Sequence, residues 1–193
     1  MPRVLPPAIP IETVAAGTVL ARIHWLTTTE PFFGPKSGNP PTHRFHDPEG
    51  KFRVCFLGEN ATASFAETFL RDPPVRLITR AEMAKRVLTT FNVLRELRLA
   101  KVRDEGLAGI GCTAEMTSSP NPYTDPQQLS RDLWLHPDQP DGIQYRCRHD
   151  NGLLAIALYD RASNALSVYH SENLLDDHAR LLDWGSRYGF DLA

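Results

Sequence analysis

The chain has 193 residues, 41% of them hydrophobic, with 21 Lys and Arg against 23 Asp and Glu and a net charge of −2. A chain of this length fits one domain that removes roughly 70% of its unfolded surface from water. We therefore expect a single domain over 1–193 with a proline-rich N-terminal segment at 1–16. The balanced charge argues against broad nucleic-acid or membrane-surface binding, which favours a basic excess, so small ligands or protein partners are expected.

The cysteines and the N-terminus predict the compartment. Cys55, Cys112 and Cys147 are odd in number and widely spaced, which argues against a disulfide framework and favours a reducing environment. The first seven residues contain three prolines and no continuous apolar core, unlike a signal peptide. No run approaches the roughly 18 to 20 apolar residues of a membrane span, so we expect a cytoplasmic protein.

The first part of the chain predicts a strand that carries an arginine. Residues 17–25 alternate, which places Arg22 and His24 on the same side of the strand. The elements predicted next are a loop over 29–41, a turn at 47–50, a buried strand over 52–57, a tight turn at 58–60 and a helix from Ala61 to the stop at Asp72-Pro73-Pro74.

The rest of the chain continues the mixture of strands and helices. The pattern predicts a short strand near 76–78, a helix over 80–85, a strand within 94–102, a loosely patterned stretch at 105–115, an extended segment at 118–126 and a helix over 127–134. A loop leading into an extended segment at 141–150, a buried strand over 153–161 and a closing helix over 174–184 follow. This arrangement is typical of an α+β or α/β domain.

One carboxylate stands out on the first long helix. Phe65, Phe69 and Leu70 mark its core-facing side, and Glu67 lies near the edge of that side in the second turn. A carboxylate there is either solvated or used by the protein. The simpler hypothesis is an ion pair with Arg71 at helical spacing.

Two short motifs offer chemistry of other kinds. The chain has no glycine-rich phosphate loop, no GxSxG turn and no Cys-x-x-Cys pair. His43 and His46 have a spacing that could touch one metal, but no third ligand is evident in their loop, and loop histidines are usually solvated. Cys147 near His149 raises a nucleophile hypothesis, again without a third group to orient the pair.

Arginines beside aromatic or histidine residues form the remaining pattern. They are Arg22 in ARIHW, Arg44 in HRFH and Arg148 in YRCRH. Guanidinium groups bind pyrophosphate in pairs of hydrogen bonds and aromatic rings stack on flat heterocycles, so the combination suits a dinucleotide. A glutamate in the same pocket could stabilise an oxocarbenium-like ribose. Surface ion pairs are the alternative explanation of the arginines.

The order and spacing of these segments resemble the RES-domain toxins. The resemblance runs from GTVLARIH through THRF and FRVCFLGENATASFAETFLR to DGIQYRCRHD and LLAIALYDR. It implies an α+β fold, a compact variant of the ADP-ribosyltransferase fold with central mixed β-sheets flanked by short helices. It also implies NAD as the substrate and an Xre-type antitoxin protein as the partner that covers the active site. The histidine spacing and the balanced charge described above lead us to expect no metal and no direct nucleic-acid or membrane binding.

The resemblance also assigns roles to residues. Glu67, Arg22 and Cys147 are expected to be catalytic, with Cys147 lining the pocket near Glu67. The expected NAD-binding residues are Arg22, Arg44, Phe45, Phe56, Tyr145 and Arg148. Two positions depart from the family pattern: Phe56 stands where many members have tyrosine, and Cys147 where the name-giving serine is expected. Both departures remove a hydroxyl.

The leading hypothesis is a toxin that cleaves the nicotinamide–ribose bond of NAD. Water or phosphate as the acceptor gives NAD depletion, whereas a protein acceptor gives ADP-ribosylation, and both remain open. The alternative is a RES-like module that binds a nucleotide or a partner after losing two hydroxyls.

Overall fold

The computed structural model describes residues 4–35, 38–70 and 77–193. The strands are β1 Ile11–Val14, β2 Val19–Trp25, β3 Val54–Gly58, β4 Leu77–Ile78, β5 Arg86–Val93, β6 Leu97–Val102, β7 Gly142–Cys147, β8 Asp150–Tyr159, β9 Leu166–Asn173 and β10 Asp191–Leu192. The helices are α1 Ala61–Phe69, α2 Arg80–Ala84, α3 Glu105–Gly109, α4 Glu115–Ser118, α5 Thr124–Leu135 and α6 His178–Tyr188, with a 3₁₀ segment at Asp160–Ala165.

The strands form a mixed sheet, and the fold is α+β as predicted. In the described part of the chain, eight strands pair in the order β1-β6-β7-β8-β3-β2-β5-β9. The pair β6–β7 is parallel and the other neighbours are antiparallel. The short strands β10 and β4 form a separate parallel pair. Short helices flank these sheets, which confirms the expected mixed architecture.

The sheet opens between β2 and β3, and this opening creates a cleft. Strand β2 pairs with β5 along its whole length, from Val19↔Asn92 to Trp25↔Arg86. Its pairing with β3 is confined to Ala21↔Gly58 among the described residues. Beyond that pair the two backbones separate, so the side chains of β2 from Arg22 onward border open space.

Helix α1 begins immediately after β3 and is fixed at its N-terminus. The Asn60 side chain accepts a hydrogen bond from the Ala63 amide at 2.9 Å, a standard N-cap. A Cβ at Gly58 would come within 2.6 Å of the Ser64 amide, so glycine permits the close packing of α1 on β3. The Ser64 hydroxyl donates to the Ala21 carbonyl at 2.8 Å. These contacts fix the helix that carries Glu67 against β2.

Two parts of the core hold the site elements from behind. On one side, Phe65 of α1 stacks on Trp184 of α6 at a ring distance of 4.3 Å. On the other, Phe45 contacts Tyr145 of β7 edge to face at 4.9 Å, and Phe52 contacts Tyr159 in the same way at 5.0 Å. The three phenylalanines, Trp184 and both tyrosines are at most 1% exposed. The cleft is therefore backed by rigid, close-packed aromatic layers.

Some element predictions need correction. The sequence pattern did not indicate strands β1, β5 and β9, although β5 is the full-length partner of β2. Helix α5 begins at Thr124 rather than 127. Helix α6 begins at His178 rather than 174, because the Asp177 side chain caps it by accepting from the Arg180 amide at 3.0 Å. The predicted helix stop at 72–74 and the ion pair of Glu67 with Arg71 lie outside the described residues.

Three general features of the described chain bear on function. Cys55, Cys112 and Cys147 are free thiols. No group of three or more His, Cys, Asp or Glu side chains in the described ranges has a metal-holding arrangement. None of the described helices is long and apolar enough to cross a membrane.

Candidate active site

A cleft of about 500 Å³ lies where β2 and β3 separate. The chain segments that border it are the end of β2, the end of β3, the loop that carries His43 and Arg44, helix α1 and the end of β7. Six predicted site residues line this one cleft, namely Arg22, Arg44, Phe56, Glu67, Tyr145 and Arg148. The cleft thus gathers residues that are up to 126 positions apart in the chain, from 22 to 148.

Glu67 is held in place by donors from three separate segments. Its Oε2 accepts from the Arg44 guanidinium at 2.9 Å and from the Tyr145 hydroxyl at 3.4 Å. Its Oε1 accepts from the backbone amide of Arg148 at 2.9 Å. The side chain remains 19% exposed and lines the cleft. This carboxylate is neither freely solvated nor buried, and its orientation is fixed before any ligand arrives.

Arg44 reaches Glu67 because its own side chain is anchored. One guanidinium nitrogen donates to the Thr117 carbonyl and the other to Glu67. The guanidinium also lies 5.7 Å from the centre of the Tyr145 ring, within cation–π range. The sequence predicts that Arg44 binds pyrophosphate. Its hydrogen bond to Glu67 shows that it also orients the carboxylate. The Arg44 side chain is itself held in place, with only 11% of its surface exposed.

Arg22 occupies the opposite wall and is fixed by a second carboxylate. Its Nε lies 3.1 Å from Glu30 Oε1, an ion pair whose geometry falls short of a hydrogen bond. Its Nη1 donates to the carbonyls of Phe32 and Phe56 at 3.3 Å and lies 3.2 Å from the Cys55 sulfur. Within the described chain Nη2 has no such contact, so this nitrogen is the one that can donate to a ligand.

Glu30 is a site residue that sequence reasoning missed. Its side chain is 4% exposed, its Oε2 accepts from the Phe32 amide at 2.9 Å, and its Oε1 is 3.7 Å from His24 Nδ1. It therefore ties the loop after β2 to Arg22. The local sequence TTTEPFF gives no periodic signal, so nothing in it could have distinguished Glu30 from a solvated loop carboxylate.

Two predicted site residues lie in the core instead. Phe45 is fully buried, and its carbonyl accepts from the Ser130 hydroxyl at 2.8 Å. Cys147 is also fully buried, with its sulfur 3.9 Å from the Ala63 carbonyl. Burial raises the pKa of this thiol well above its usual range, and the nearby Glu67 charge raises it further. Phe45, an expected NAD-binding residue, and Cys147, expected to line the pocket, therefore lie in the core and are not part of the cleft lining.

Phe56 and His43 line the cleft, and the buried His46 ring packs against both of them. The His43 ring lies 5.4 Å from Phe56 and 4.8 Å from His46. The His46 Nδ1 accepts from the Thr42 amide at 3.2 Å. Burial lowers the pKa of His46 to about 4, and the Arg22 charge adds to this effect. His46 is therefore neutral at pH 7 and packs with the aromatic rings.

The charges that line the cleft are strongly unequal. The described lining contains four arginines, Arg22, Arg44, Arg86 and Arg148, and a single carboxylate, Glu67. Three of these arginines already pair with carboxylates, Arg22 with Glu30, Arg44 with Glu67 and Arg86 with Glu82. The guanidinium groups still give the cleft surface a positive lining that favours an anionic ligand. The single carboxylate among guanidinium groups can stabilise positive charge that develops at one point of that ligand.

Comparison with known proteins identifies the family of the chain. The family model described as "RES domain" matches residues 18–183. The chain belongs to the RES-domain toxin family. A relative named "Probable toxin y4kH" from Sinorhizobium fredii (strain NBRC 101917 / NGR234) is 34% identical over 106 residues, which cover 53% of this chain and 82% of the relative. No solved structure matches the chain, so the likeness to the ADP-ribosyltransferase fold stays a prediction.

The matched region of this RES-domain chain contains the whole cleft. Residues 18–183 include both walls, from Arg22 and Glu30 to Glu67 and Arg148. The match leaves out β1, which pairs with β6 away from the cleft, and β10. The six cleft residues predicted from the resemblance therefore belong to the part of the chain that defines the family.

Proposed function

We propose that this protein is an enzymatic toxin that binds NAD and cleaves its nicotinamide–ribose bond. The observation that carries the proposal is the single oriented carboxylate, Glu67, in a cleft lined by four arginines. A pyrophosphate brings two negative charges and fits guanidinium donors. The bond to nicotinamide breaks with positive charge on the ribose, which a fixed carboxylate stabilises.

In this reaction the cleft residues have separate roles in binding the substrate and in stabilising the charge that develops on it. Arg22 donates to the pyrophosphate through Nη2, and Phe56 packs against the nicotinamide or its ribose. The electron pair of the C1′–N bond leaves with nicotinamide, and the acceptor bonds to C1′ and loses its proton. Glu67 stabilises the ribose cation or orients the acceptor, since Arg44, Tyr145 and the Arg148 amide hold its two oxygens in place.

The acceptor sets the kind of toxicity. Water or phosphate as acceptor depletes cellular NAD, and a protein side chain as acceptor becomes ADP-ribosylated. A purified reaction with NAD, run with and without phosphate and with a cell lysate, separates the three through free ADP-ribose, its phosphorylated form and labelled protein.

We further propose that an antitoxin protein, of Xre type, neutralises the chain in its host. The relative in Sinorhizobium fredii is named a probable toxin, and a chain that consumes NAD harms the cell that makes it. The expected observation is an adjacent reading frame that encodes a helix-turn-helix protein. Co-expression of that protein should restore growth and form a stable complex with this chain.

A binding module without turnover is the second candidate. The observation that favours it is the absence of two family hydroxyls, at Phe56 and Cys147. Cys147 does not support this candidate, because it is buried and a core thiol does not alter the cleft surface. Phe56 still lines the cleft without the tyrosine hydroxyl. Retained NAD affinity with no nicotinamide release would favour this second function.

The test in cells uses Glu67→Gln, which keeps the shape of the side chain and removes its charge. Cells that express the parent chain should lose NAD and stop growing, and the variant should abolish both effects. The expected loss of turnover is at least about 100-fold, typical of removing one transition-state electrostatic contact. Glu172→Gln is the matched control, because Glu172 is 24% exposed and pairs with Arg180 at 2.7 Å outside the cleft. NAD depletion by Glu67→Gln at the parental rate would refute the assignment.

A further inference from the structure

The end of β2 presents an aromatic ring and a guanidinium that the catalytic scheme does not use. Trp25 is the last residue of β2 and is 46% exposed. Arg86 is its direct cross-strand partner on β5. The Arg86 guanidinium carbon lies 3.3 Å from the centre of the Trp25 ring, which is a close stack. Both residues line the same cleft as Glu67.

The contacts of Arg86 fix its position over the ring. One terminal nitrogen pairs with Glu82 of α2 at 3.0 Å, and the guanidinium lies 5.8 Å from the Phe69 ring of α1. The Nε atom is buried and has no hydrogen-bond partner within the described chain. Arg86 is 15% exposed, so it covers one side of the indole while nearly half of the Trp25 surface stays open.

The position of this pair along β2 is suited to the far end of a dinucleotide. Trp25 follows Arg22 by three residues, which is about 10 Å along a strand. Successive residues point to opposite faces, but β2 has no partner on its β3 side beyond Ala21 among the described residues. Arg22 and Trp25 alternate to opposite faces of β2, and both nevertheless line the cleft. A pyrophosphate held at Arg22 leaves room for a ribose before a base reaches Trp25.

We propose that Trp25 and Arg86 form a stacking subsite for the adenine of the dinucleotide. The open part of the indole stacks on the base, and Arg86 keeps the ring in place from the other side. This inference rests on the proposed function, because it assigns the second half of the same substrate. It adds a reason for preferring NAD to a mononucleotide, since a ligand that lacks adenosine cannot reach the pair.

Truncated substrates separate the subsite from the catalytic cleft. The kcat/KM for nicotinamide release is measured with NAD and with nicotinamide mononucleotide, for the parent, Trp25→Ala and Trp25→Phe. Loss of one base–aromatic stack should lower kcat/KM for NAD by at least about fivefold in Trp25→Ala. The value for the mononucleotide should stay unchanged, and Trp25→Phe should fall between. Tyr169→Ala, which removes a 66% exposed aromatic ring from β9, should leave both values unchanged.

The outcomes distinguish this inference from the proposed function. Equal losses with both substrates, or no loss with NAD, would overturn the subsite while leaving NAD cleavage intact. If the parent releases no nicotinamide, the proposed function fails, and AMP binding followed by tryptophan fluorescence then decides the subsite. The chain has three tryptophans, so quenching that disappears in Trp25→Ala supports stacking at Trp25. Quenching that persists in that variant, or no quenching in the parent, overturns it.

Discussion

The two walls of the cleft each contain an arginine paired with a carboxylate, but the pairs face in opposite ways. On the α1 wall the carboxylate, Glu67, lines the cleft and is 19% exposed, and Arg44 holds it. On the β2 wall the arginine, Arg22, lines the cleft, and Glu30 lies behind it at 4% exposure. On the α1 wall the carboxylate is thus more exposed than its arginine, which also lines the cleft at 11% exposure, whereas on the β2 wall the arginine is the more exposed partner. Exposure, rather than pairing, decides which partner meets the ligand.

Among the substitutions that test this comparison of the two walls, Arg44→Ala is expected to have the largest effect on the rate of NAD cleavage. Without the guanidinium, Glu67 loses its 2.9 Å donor and keeps the Tyr145 hydroxyl and the Arg148 amide, which position it less firmly against the reacting ribose. A misplaced catalytic group costs on the order of 100-fold in rate. We expect kcat for NAD cleavage to fall by about that factor, with a smaller change in KM.

The control for this prediction is Arg103→Ala. Arg103 is 14% exposed and pairs with Glu12 at 2.8 Å away from the cleft, so its loss reports the general cost of removing a paired arginine. If Arg44→Ala reduced affinity for NAD and left kcat unchanged, Arg44 would be a simple binding residue.

A change on the β2 wall should act on binding instead. Arg22→Lys keeps a positive charge beside the buried Glu30 but loses the guanidinium fork. Charge-assisted hydrogen bonds contribute about 1.5–3 kcal/mol, so the affinity for NAD should fall by roughly 10- to 100-fold. Calorimetric titration of NAD into the Glu67→Gln background measures this without turnover. Unchanged affinity would remove Arg22 from the pyrophosphate site.

The pH dependence of stability tests the burial of His46 against the aromatic rings that line the cleft. Folding lowers the pKa of His46 from its ordinary value of 6.5 to about 4. Between these values the unfolded state takes up a proton that the folded state does not, so stability is lost as the pH falls from 6.5 to 4. The full loss amounts to about 3 kcal/mol. Denaturant unfolding at pH 6.5 and pH 4 measures it.

The matched variants for this measurement are His46→Asn and His170→Gln. The asparagine side chain would keep an acceptor for the Thr42 amide and would not titrate, so the pH dependence should become shallower. His170 is 60% exposed, and its replacement should leave the dependence as it is in the parent. A parental slope in His46→Asn would show that His46 is not buried as a neutral ring.

The smallest effect on NAD turnover is expected from substitution of Cys147. This prediction compares Cys147 with Tyr145, two residues earlier on β7. Tyr145 reaches Glu67 with its hydroxyl, whereas the Cys147 sulfur faces the Ala63 carbonyl. Cys147→Ala and Cys147→Ser should both keep NAD turnover, because neither alters the cleft lining. The serine variant should lose about 1 kcal/mol or more of folding stability, since a hydroxyl replaces a buried thiol. A dead alanine variant would return Cys147 to the site.

Local patterns predicted the elements that carry the site. The alternation in β2 placed Arg22 on a strand, and the turn before Ala61 placed Glu67 in the second turn of α1, as the structure has them. Both depend on neighbours within a few residues. The burial of a side chain depends on distant segments instead. The spacing of Tyr145 and Cys147 does not show that α1 covers the thiol.

Contacts across the chain explain what the sequence could not predict. Phe45 lies in an irregular loop, where no period distinguishes a core ring from a cleft ring. Glu30 is paired through a loop that turns back on β2, and the opening of the cleft depends on β2 pairing fully with β5 while meeting β3 at one residue pair. Each of these follows from the register and packing of the whole sheet.

The most direct test of the central claim is nicotinamide release from NAD by the purified protein. Parent and Glu67→Gln are incubated with NAD at equal folded concentration, and free nicotinamide is measured over time together with NAD affinity. The account predicts steady release by the parent, at least about 100-fold slower release by the variant, and similar NAD affinity for both. Equal release rates for the two proteins, or no release by a parent that binds NAD, would contradict it.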